Sequence, residues 1–293
     1  MAGRYPDLDA LAADRRAFLT VLAAGLVGVL TGCRLPADPA GAPATVETPA
    51  TSLPGSPTPP PLAFPRAPAR SLPPIPDARP GPAEIVHSSP GGPGSSSEVA
   101  LTIDDGYSPE TVAGYVAFAE RTGIPITFSP NGTYRSIWEP HALRLRALIE
   151  ADQVQIGNHT YSHLDMLPRG SGAVRADIER NEEWIEKTFG ITARPWFRPP
   201  FGRHSPRTDA VAGELGYTRI LMWEGSFGDA RLLTPRVLME QAREWLTGGR
   251  VVLGHANHPT VTHLFDQLVA LIQQRGLVPV TVDTMFGTSR ATG

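Results

Sequence analysis

Residues 98–110 read "EVALTIDDGYSPE". Val99, Leu101 and Ile103 alternate with small or polar residues, the period-two pattern of a half-buried strand. That strand runs into Asp104, Asp105 and Gly106, after which Ser108 and Pro109 supply an N-cap and a first-turn proline for a helix. Two adjacent carboxylates repel each other when both are ionised, so a fold that places both at a strand end needs a reason. Strand, polar turn and capped helix together form the unit from which the fold is read.

The same unit recurs downstream. The helix after Pro109 places Val112, Tyr115, Val116 and Ala119 on one face. Strands are expected near 124–128, near 153–157, in "RPWFRPP", in "YTRILMW", in "RVVLGH" and in "LVPVTV". Between them fall helices at about 141–151, at 172–189 (capped by Ser171 and stopped by Gly190), after Ser205 and Pro206, from Thr234 and Pro235 to Gly248 and Gly249, and at 259–275. Alternating strands and helices imply a parallel sheet with right-handed crossovers. Seven units in this span suggest an α/β fold, a short (β/α)7 barrel lacking one unit of the usual eight. An open doubly wound sheet is the competitor, but the polar clusters here follow many different strands, as in a barrel.

Just past those strand ends lie Asp104 and Asp105, His159 and His163, Arg198, Asp229 and His255. "HTYSH" spaces its two histidines i, i+4, so both imidazoles can converge if that segment coils. Two neutral histidines with one carboxylate suit a divalent metal and leave positions open for water or substrate. The formal net charge of −3 offers no basic surface for nucleic acid. A single cysteine excludes an intrachain disulfide and any multi-cysteine metal site.

Taken in order, "TIDDG" (102–106), "HTYSH" (159–163), "RPPFG" (198–202) and "LGH" (253–255) resemble the motifs of the polysaccharide deacetylases, metal-dependent carbohydrate esterases with a distorted seven-unit barrel. The resemblance covers residues 98 to about 285. It implies that Asp105, His159 and His163 bind a divalent metal, zinc first and cobalt, nickel or manganese as substitutes. It also implies that Asp104 is the general base, oriented by Arg198, and that His255 is the general acid, supported by Asp229. The Phe201 N–H would face the oxyanion and Leu253 would line the acetyl methyl. The expected substrate is an N-acetylated amino-sugar polymer of peptidoglycan or chitin type. Acetylated xylan is the alternative substrate, a non-haem iron oxygenase the alternative two-His-one-carboxylate enzyme, and a wall-binding lipoprotein without turnover the non-enzymatic reading. "WEGSFGDA" departs from the family, with Ser226 and Ala230 where Asp and Trp are usual, so the acetyl site is expected to be more open. His258 and His263 match no family position and are expected at the surface or on a helix; Trp223 is a candidate groove residue.

The N-terminal third differs in texture. Arg15 and Arg16 precede an apolar run from Ala17 to Leu30 that ends in "LTGC", an export signal over residues 1–32. "LTGC" resembles the lipobox of bacterial lipoproteins, which would make Cys33 a lipidated mature N-terminus; "DRRAFL" resembles a twin-arginine signal. From residue 33 to 97 the chain carries 18 of its 31 prolines, without helical or strand periodicity. That segment reads as a disordered Pro-rich tether. The catalytic domain is then expected over 98–288, as a monomer lipid-anchored on the extracellular face of the bacterial cell membrane.

Overall fold

The strand quoted above is the centre of the sheet. In this computed structural model, which describes Phe64, Ser71, Leu72 and residues 74–288, it spans Glu98–Asp105 and is buried on both faces from Val99 onward. Half-burial was the expectation. The polar-looking positions, Ala100, Thr102 and Asp104, instead face a second interior, inside the curved sheet.

The elements alternate as the periodicity indicates. They begin with β1 (Glu84–Val86), β2 (Glu98–Asp105), α1 (Pro109–Thr122), β3 (Ile126–Pro130), α2 (Arg135–Trp138), α3 (Ala142–Glu150) and β4 (Val154–Ile156). There follow α4 (Ser171–Phe189), β5 (Trp196–Phe197), α5 (Pro206–Glu214), β6 (Arg219–Leu221), β7 (Gly225–Ser226) and α6 (Pro235–Trp245). The last are β8 (Arg250–His255), α7 (Phe265–Gln274), β9 (Val278–Val280) and α8 (Val282–Phe286).

All ladder pairs are parallel. One sheet runs β4-β3-β2-β8-β7 and the other β1-β6-β5, with β9 pairing the first residues of β2. An isolated parallel bridge, Asn158 to Phe197, joins β4 to β5, so the two sheets make one arc. The arc does not close by a ladder between its edge strands, β1 and β7. An antiparallel bridge from Ser88, just past β1, to Arg250 of β8 crosses that seam instead.

Pleating sorts the side chains into two cores. Val99, Leu101 and Ile103 of β2, Ile126 and Phe128 of β3 and Val252 of β8 face the helix layer. Ala100, Trp196, Leu221, Val251 and Val280 fill the inside of the arc, closed below by Val282 and Met285 of α8. Each of the valine, leucine, isoleucine, phenylalanine and methionine side chains among them contributes about 1.5–3 kcal/mol when fully buried. Above this apolar floor, the next inward positions on the same strands are Thr102, Asp104, Arg198 and His255, at the carboxyl ends.

Local signals account for most helix ends. Ser108 accepts from the Thr111 N–H, Ser205 forms a capping box with Thr208, and Thr234 caps α6. Gly123 and Gly190 end α1 and α4 in the left-handed region. Three expectations shift. Gly170, not Ser171, is the N-cap of α4; α6 stops at Trp245, before Gly248; and the helix read over 259–275 splits into a 3-10 turn at Pro259–His263 and α7.

The expected tether boundary is too late. Residues 1–63, where the export signal and the lipidated Cys33 are expected, lie outside the described residues, but residues 81–94 are built into the fold. Glu84–Val86 pairs with β6 in register Glu84 to Arg219, and the amides of Gly81, Ser89 and Gly94 donate to the carbonyls of Gly213, Gly249 and Gly248. Phe64 and Leu72 pack on the larger core. A three-residue edge strand with one buried side chain, Val86, has no period to read. Backbone pairing holds it, and composition does not reveal pairing.

Candidate active site

Pleating by itself would aim Asp104 into the arc and Asp105 out of it. Asp105 has φ 69°, which breaks the alternation and leaves both carboxylates at one site. Gly106 continues the turn at φ 113°, where a Cβ would stand 2.2 Å from Trp138 Nε1. The Trp138 indole N–H in turn donates to the Asp105 carbonyl at 3.0 Å. Five non-glycine residues among those described have positive φ, and four of them are Asp105, Thr160, His163 and Phe201. Backbone strain of this kind costs on the order of 1–3 kcal/mol per residue and gathers where function requires it.

The "HTYSH" segment is not a helix. It is a turn with Thr160 and His163 at φ 62° and 52°, so the i, i+4 spacing converges by another route. Buried side chains hold the turn. Asn131 Nδ2 donates to the His159 and Thr160 carbonyls at 2.6 and 2.9 Å, and Asp177 accepts from the Ser162 amide and hydroxyl at 3.1 and 2.8 Å. Asn158 Oδ1 accepts from the Thr160 N–H at 2.9 Å.

Asp105, His159 and His163 then present one ligand atom each, all within 4.8 Å of one another. His159 Nδ1 lies 2.7 Å from the Arg198 carbonyl, which can only accept, so that nitrogen carries the proton and Nε2 turns its lone pair to the carboxylates. Nε2 is 3.5 Å from Asp105 Oδ1 and 3.6 Å from Asp104 Oδ2, and His163 Nε2 is 3.3 Å from Asp105 Oδ1. Asp105 Oδ2 accepts from Asn257 Nδ2 at 2.7 Å, but Oδ1 is buried without a hydrogen-bond donor. An orphaned carboxylate oxygen between two imidazoles fits a divalent cation.

The electrostatics agree. Burial pushes Asp105 up, yet the attraction of His159 first, then of His163 and His255, outweighs it and holds the carboxyl well below its ordinary range. Burial pushes His159 down, but Asp104 and Asp105 raise it above the ordinary imidazole value. His163 falls below that value through burial and the neighbouring His159. Two carboxylates drawing positive charge onto one buried imidazole mark a place where a cation substitutes for the proton.

Asp104 is held differently. Arg198, 1% exposed, donates from Nη1 to Asp104 Oδ1 at 2.8 Å and to Thr102 Oγ1 at 2.9 Å. Its Nε and Nη2 donate to the Leu221 and Met222 carbonyls at 3.0 and 3.3 Å. Across the β2–β8 ladder Asp104 is in register with His255. Asp229 Oδ1 lies 2.9 Å from His255 Nδ1 and Oδ2 accepts the His255 N–H at 3.2 Å. Burial pushes His255 down, but Asp229, then Asp104 and Asp105, outweigh it and raise its pKa. Leu253 shares the inward face of β8 with His255 and is 4% exposed. Phe201 stands at φ 61° with its ring 4.4 Å from that of His163. The next two amides, of Gly202 and Arg203, donate back to Pro199 and Pro200, so the turn leaves the Phe201 N–H out of its hydrogen bonds.

All nine site residues read from the sequence outside the N-terminal segment therefore gather at one end of the arc. Sequence reasoning missed Asn257, Asn131 and Asp177. Asn257, two residues past His255, was within reach of the "LGH" signal; Asn131 and Asp177 act only through the folded turn. Trp223, a candidate groove residue, packs at Gly202 and lies 5.9 Å from the Arg198 guanidinium. His258 is at the surface as expected, but it is hydrogen-bonded to Tyr107.

Residues 91–220 match the model of the polysaccharide deacetylase family. Asp229, Leu253 and His255 lie beyond that match and rest on geometry. The uncharacterised protein YlxY of Bacillus subtilis is 26% identical over 192 residues, covering 66% of this chain but only 58% of its own length. A peptidoglycan-N-acetylglucosamine deacetylase of Bacillus cereus is 25% identical over 213 residues, 68% of this chain and 72% of that protein. The crystal structure of a CE4 family pseudoenzyme from Bacillus anthracis superposes with a TM-score of 0.60 at 20% identity, covering 70% of this chain and 69% of that one. That likeness concerns the fold. Over residues 91–220 this chain is therefore similar to the polysaccharide deacetylases, and its strand-end motifs lie in and just beyond that segment.

Proposed function

We propose that this chain is a metal-dependent hydrolase that removes acetyl groups from N-acetylated amino sugars of an extracellular polysaccharide of peptidoglycan or chitin type. One observation carries the reading. Asp105 Oδ1, buried and bare, faces two imidazoles, while the adjacent Asp104 is held apart by a buried arginine. The pair is built for two tasks.

Asp105, His159 and His163 would hold the cation. When bound, it would polarise the amide carbonyl and acidify water. The remaining steps belong to the protein. Asp104 keeps Oδ2 free, because Oδ1 is engaged by Arg198, and takes the proton of the attacking water there. The new C–O bond pushes the carbonyl electrons onto oxygen, where the Phe201 N–H is available to donate. His255, its Nδ1–H given to Asp229, delivers the Nε2 proton to the amide nitrogen as the C–N bond breaks. Acetate and a free amino sugar leave. Leu253 excludes water from the side of the acetyl methyl.

The test is acetate release from N-acetylated chito-oligosaccharides, peptidoglycan fragments and O-acetylated xylan, with chelator and with Zn²⁺ restored. Release from the N-acetylated substrates, abolished by chelator and regained with metal, is the expected result. Release from xylan alone would make it an O-acetyl esterase. No release from any substrate, with glycan binding intact, would make it a binding protein.

A further inference from the structure

We infer that Tyr107, fixed against Tyr134 and His258 at the rim of the site, is a stacking platform for a second sugar ring of the polymer. The inference rests on the deacetylase reading and adds a chain-binding position to it.

Only seven large hydrophobic side chains are exposed among the described residues. Three of them, Tyr107, Phe201 and Leu232, lie on loops that leave the carboxyl ends of β2, β5 and β7 around the site. Tyr107 is the most constrained of the three. Its backbone is tied on both sides to the loop after β8: Gly106 N–H donates to Asn257 Oδ1 at 3.3 Å, and Ser108 N–H to the Ala256 carbonyl at 3.3 Å. Its hydroxyl lies 2.9 Å from His258 Nε2. The Tyr134 ring meets it at 5.9 Å and 60°, and the His258 imidazole edge-on at 5.7 Å and 89°.

An aromatic side chain 42% exposed contributes little to the core, and it would normally keep its rotamer freedom. Here that freedom is removed before any ligand arrives, the arrangement that favours binding. The chemistry of the platform selects its occupant. A pyranose offers an apolar C–H face, which suits the open tyrosine ring, and a rim of hydroxyls, which suits the phenol and imidazole edge. The ring partners of Tyr107 are Tyr134 and His258, whereas Phe201 is the aromatic ring packed against His163, so Tyr107 is assigned to the neighbouring sugar and Phe201 to the one whose amide is cut. Gly106 sets the direction: with φ 113° and Trp138 beneath it, it turns the chain outward at this point.

The experiment is calorimetric titration of N-acetylated chitotetraose into the Zn²⁺-loaded protein. It is done in an Asp104→Asn background to suppress turnover, with and without a change at Tyr107. Tyr107→Ala should weaken tetrasaccharide binding about tenfold, the worth of one aromatic stacking contact. Tyr107→Phe, which keeps the ring and loses the link to His258, should lose less, and Leu143→Ala, exposed elsewhere, should lose nothing. Melting temperatures of the Tyr107 variants should stay near that of the parent. Unchanged affinity in Tyr107→Ala, or a loss in Tyr107→Phe as large as in Tyr107→Ala, overturns the platform. Tyr107-dependent binding without acetate release from the wild type would instead sink the deacetylase reading and leave the platform standing.

Discussion

Asp104→Asn and Asp105→Asn are near-isosteric changes at adjacent residues, and the structure assigns them opposite consequences. Arg198 is 1% exposed and has one anionic partner, Asp104 Oδ1 at 2.8 Å; its other acceptors are the neutral oxygens of Thr102, Leu221 and Met222. Removing one partner of a buried ion pair costs roughly 3–5 kcal/mol. The amide oxygen of asparagine still accepts a hydrogen bond, so the lower figure applies. For a domain of this size that corresponds to a melting temperature lower by about 6–12 °C. Loss of the base should reduce kcat by about 10²–10⁴-fold, with zinc affinity kept. Asp105 has no such arginine. Its replacement removes the only anionic ligand of the triad and should weaken zinc by more than the roughly 10–100-fold that a mere supporting group contributes. The assays are zinc competition against a chromogenic chelator, turnover at saturating zinc and thermal melts of the metal-free proteins. Equal weakening of zinc binding in both variants, or wild-type turnover in Asp104→Asn, would refute the division of labour.

Other outcomes follow from single contacts. His255 must be protonated to act as an acid, and Asp229 raises its pKa, so activity should fall as pH rises through that raised value. In Asp229→Asn the alkaline limb of kcat/KM should move to lower pH; an unmoved limb would remove His255 as the acid. Gly106→Ala forces a Cβ to within 2.2 Å of Trp138 Nε1 at φ 113°, and should lower the melting temperature and zinc affinity together. A chain begun at Glu98 lacks β1 and should melt well below one begun at Ser71, by circular dichroism. If the "LTGC" segment is an export and lipidation signal, intact-mass analysis of membrane fractions should find Cys33 as the first residue with a lipid increment; a mature form without Cys33 would exclude the anchor.

The parts of this molecule that were legible in its sequence are those governed by short-range periodicity. Val112, Tyr115, Val116 and Ala119 announced a helix face and are all buried. The strand-end motifs announced the site because a parallel arc gathers its carboxyl ends whatever lies between them. β1 was illegible, since three residues paired at an edge leave no pattern. So was the burial of β2 on both faces. Thr102 looks like a solvent-side residue, yet it is 0% exposed and accepts from Arg198. Its environment is made by residues 96 positions away, and no local window contains them.

The same distinction explains why two carboxylates can sit side by side. Along a regular strand adjacent side chains diverge, and a pair of aspartates there would divide between the helix layer and the interior. The positive φ at Asp105 keeps both at the site, and the strain is offset by bonds that come from elsewhere in the chain: Trp138 to the Asp105 carbonyl, Asn257 to its carboxylate, Asn131 and Asp177 to the facing histidine turn. Each supports backbone that a regular strand or helix would not produce. Asn131→Ala therefore offers a clean separation of strain from chemistry. It touches neither the carboxylates nor an imidazole ring, but it frees the carbonyls of His159 and Thr160, and two buried carbonyls without donors cost about 1–3 kcal/mol each. If the turn is held against its own preference, this variant should lose zinc affinity along with stability. Stability lost with zinc affinity unchanged would mean that the histidines hold their geometry without it.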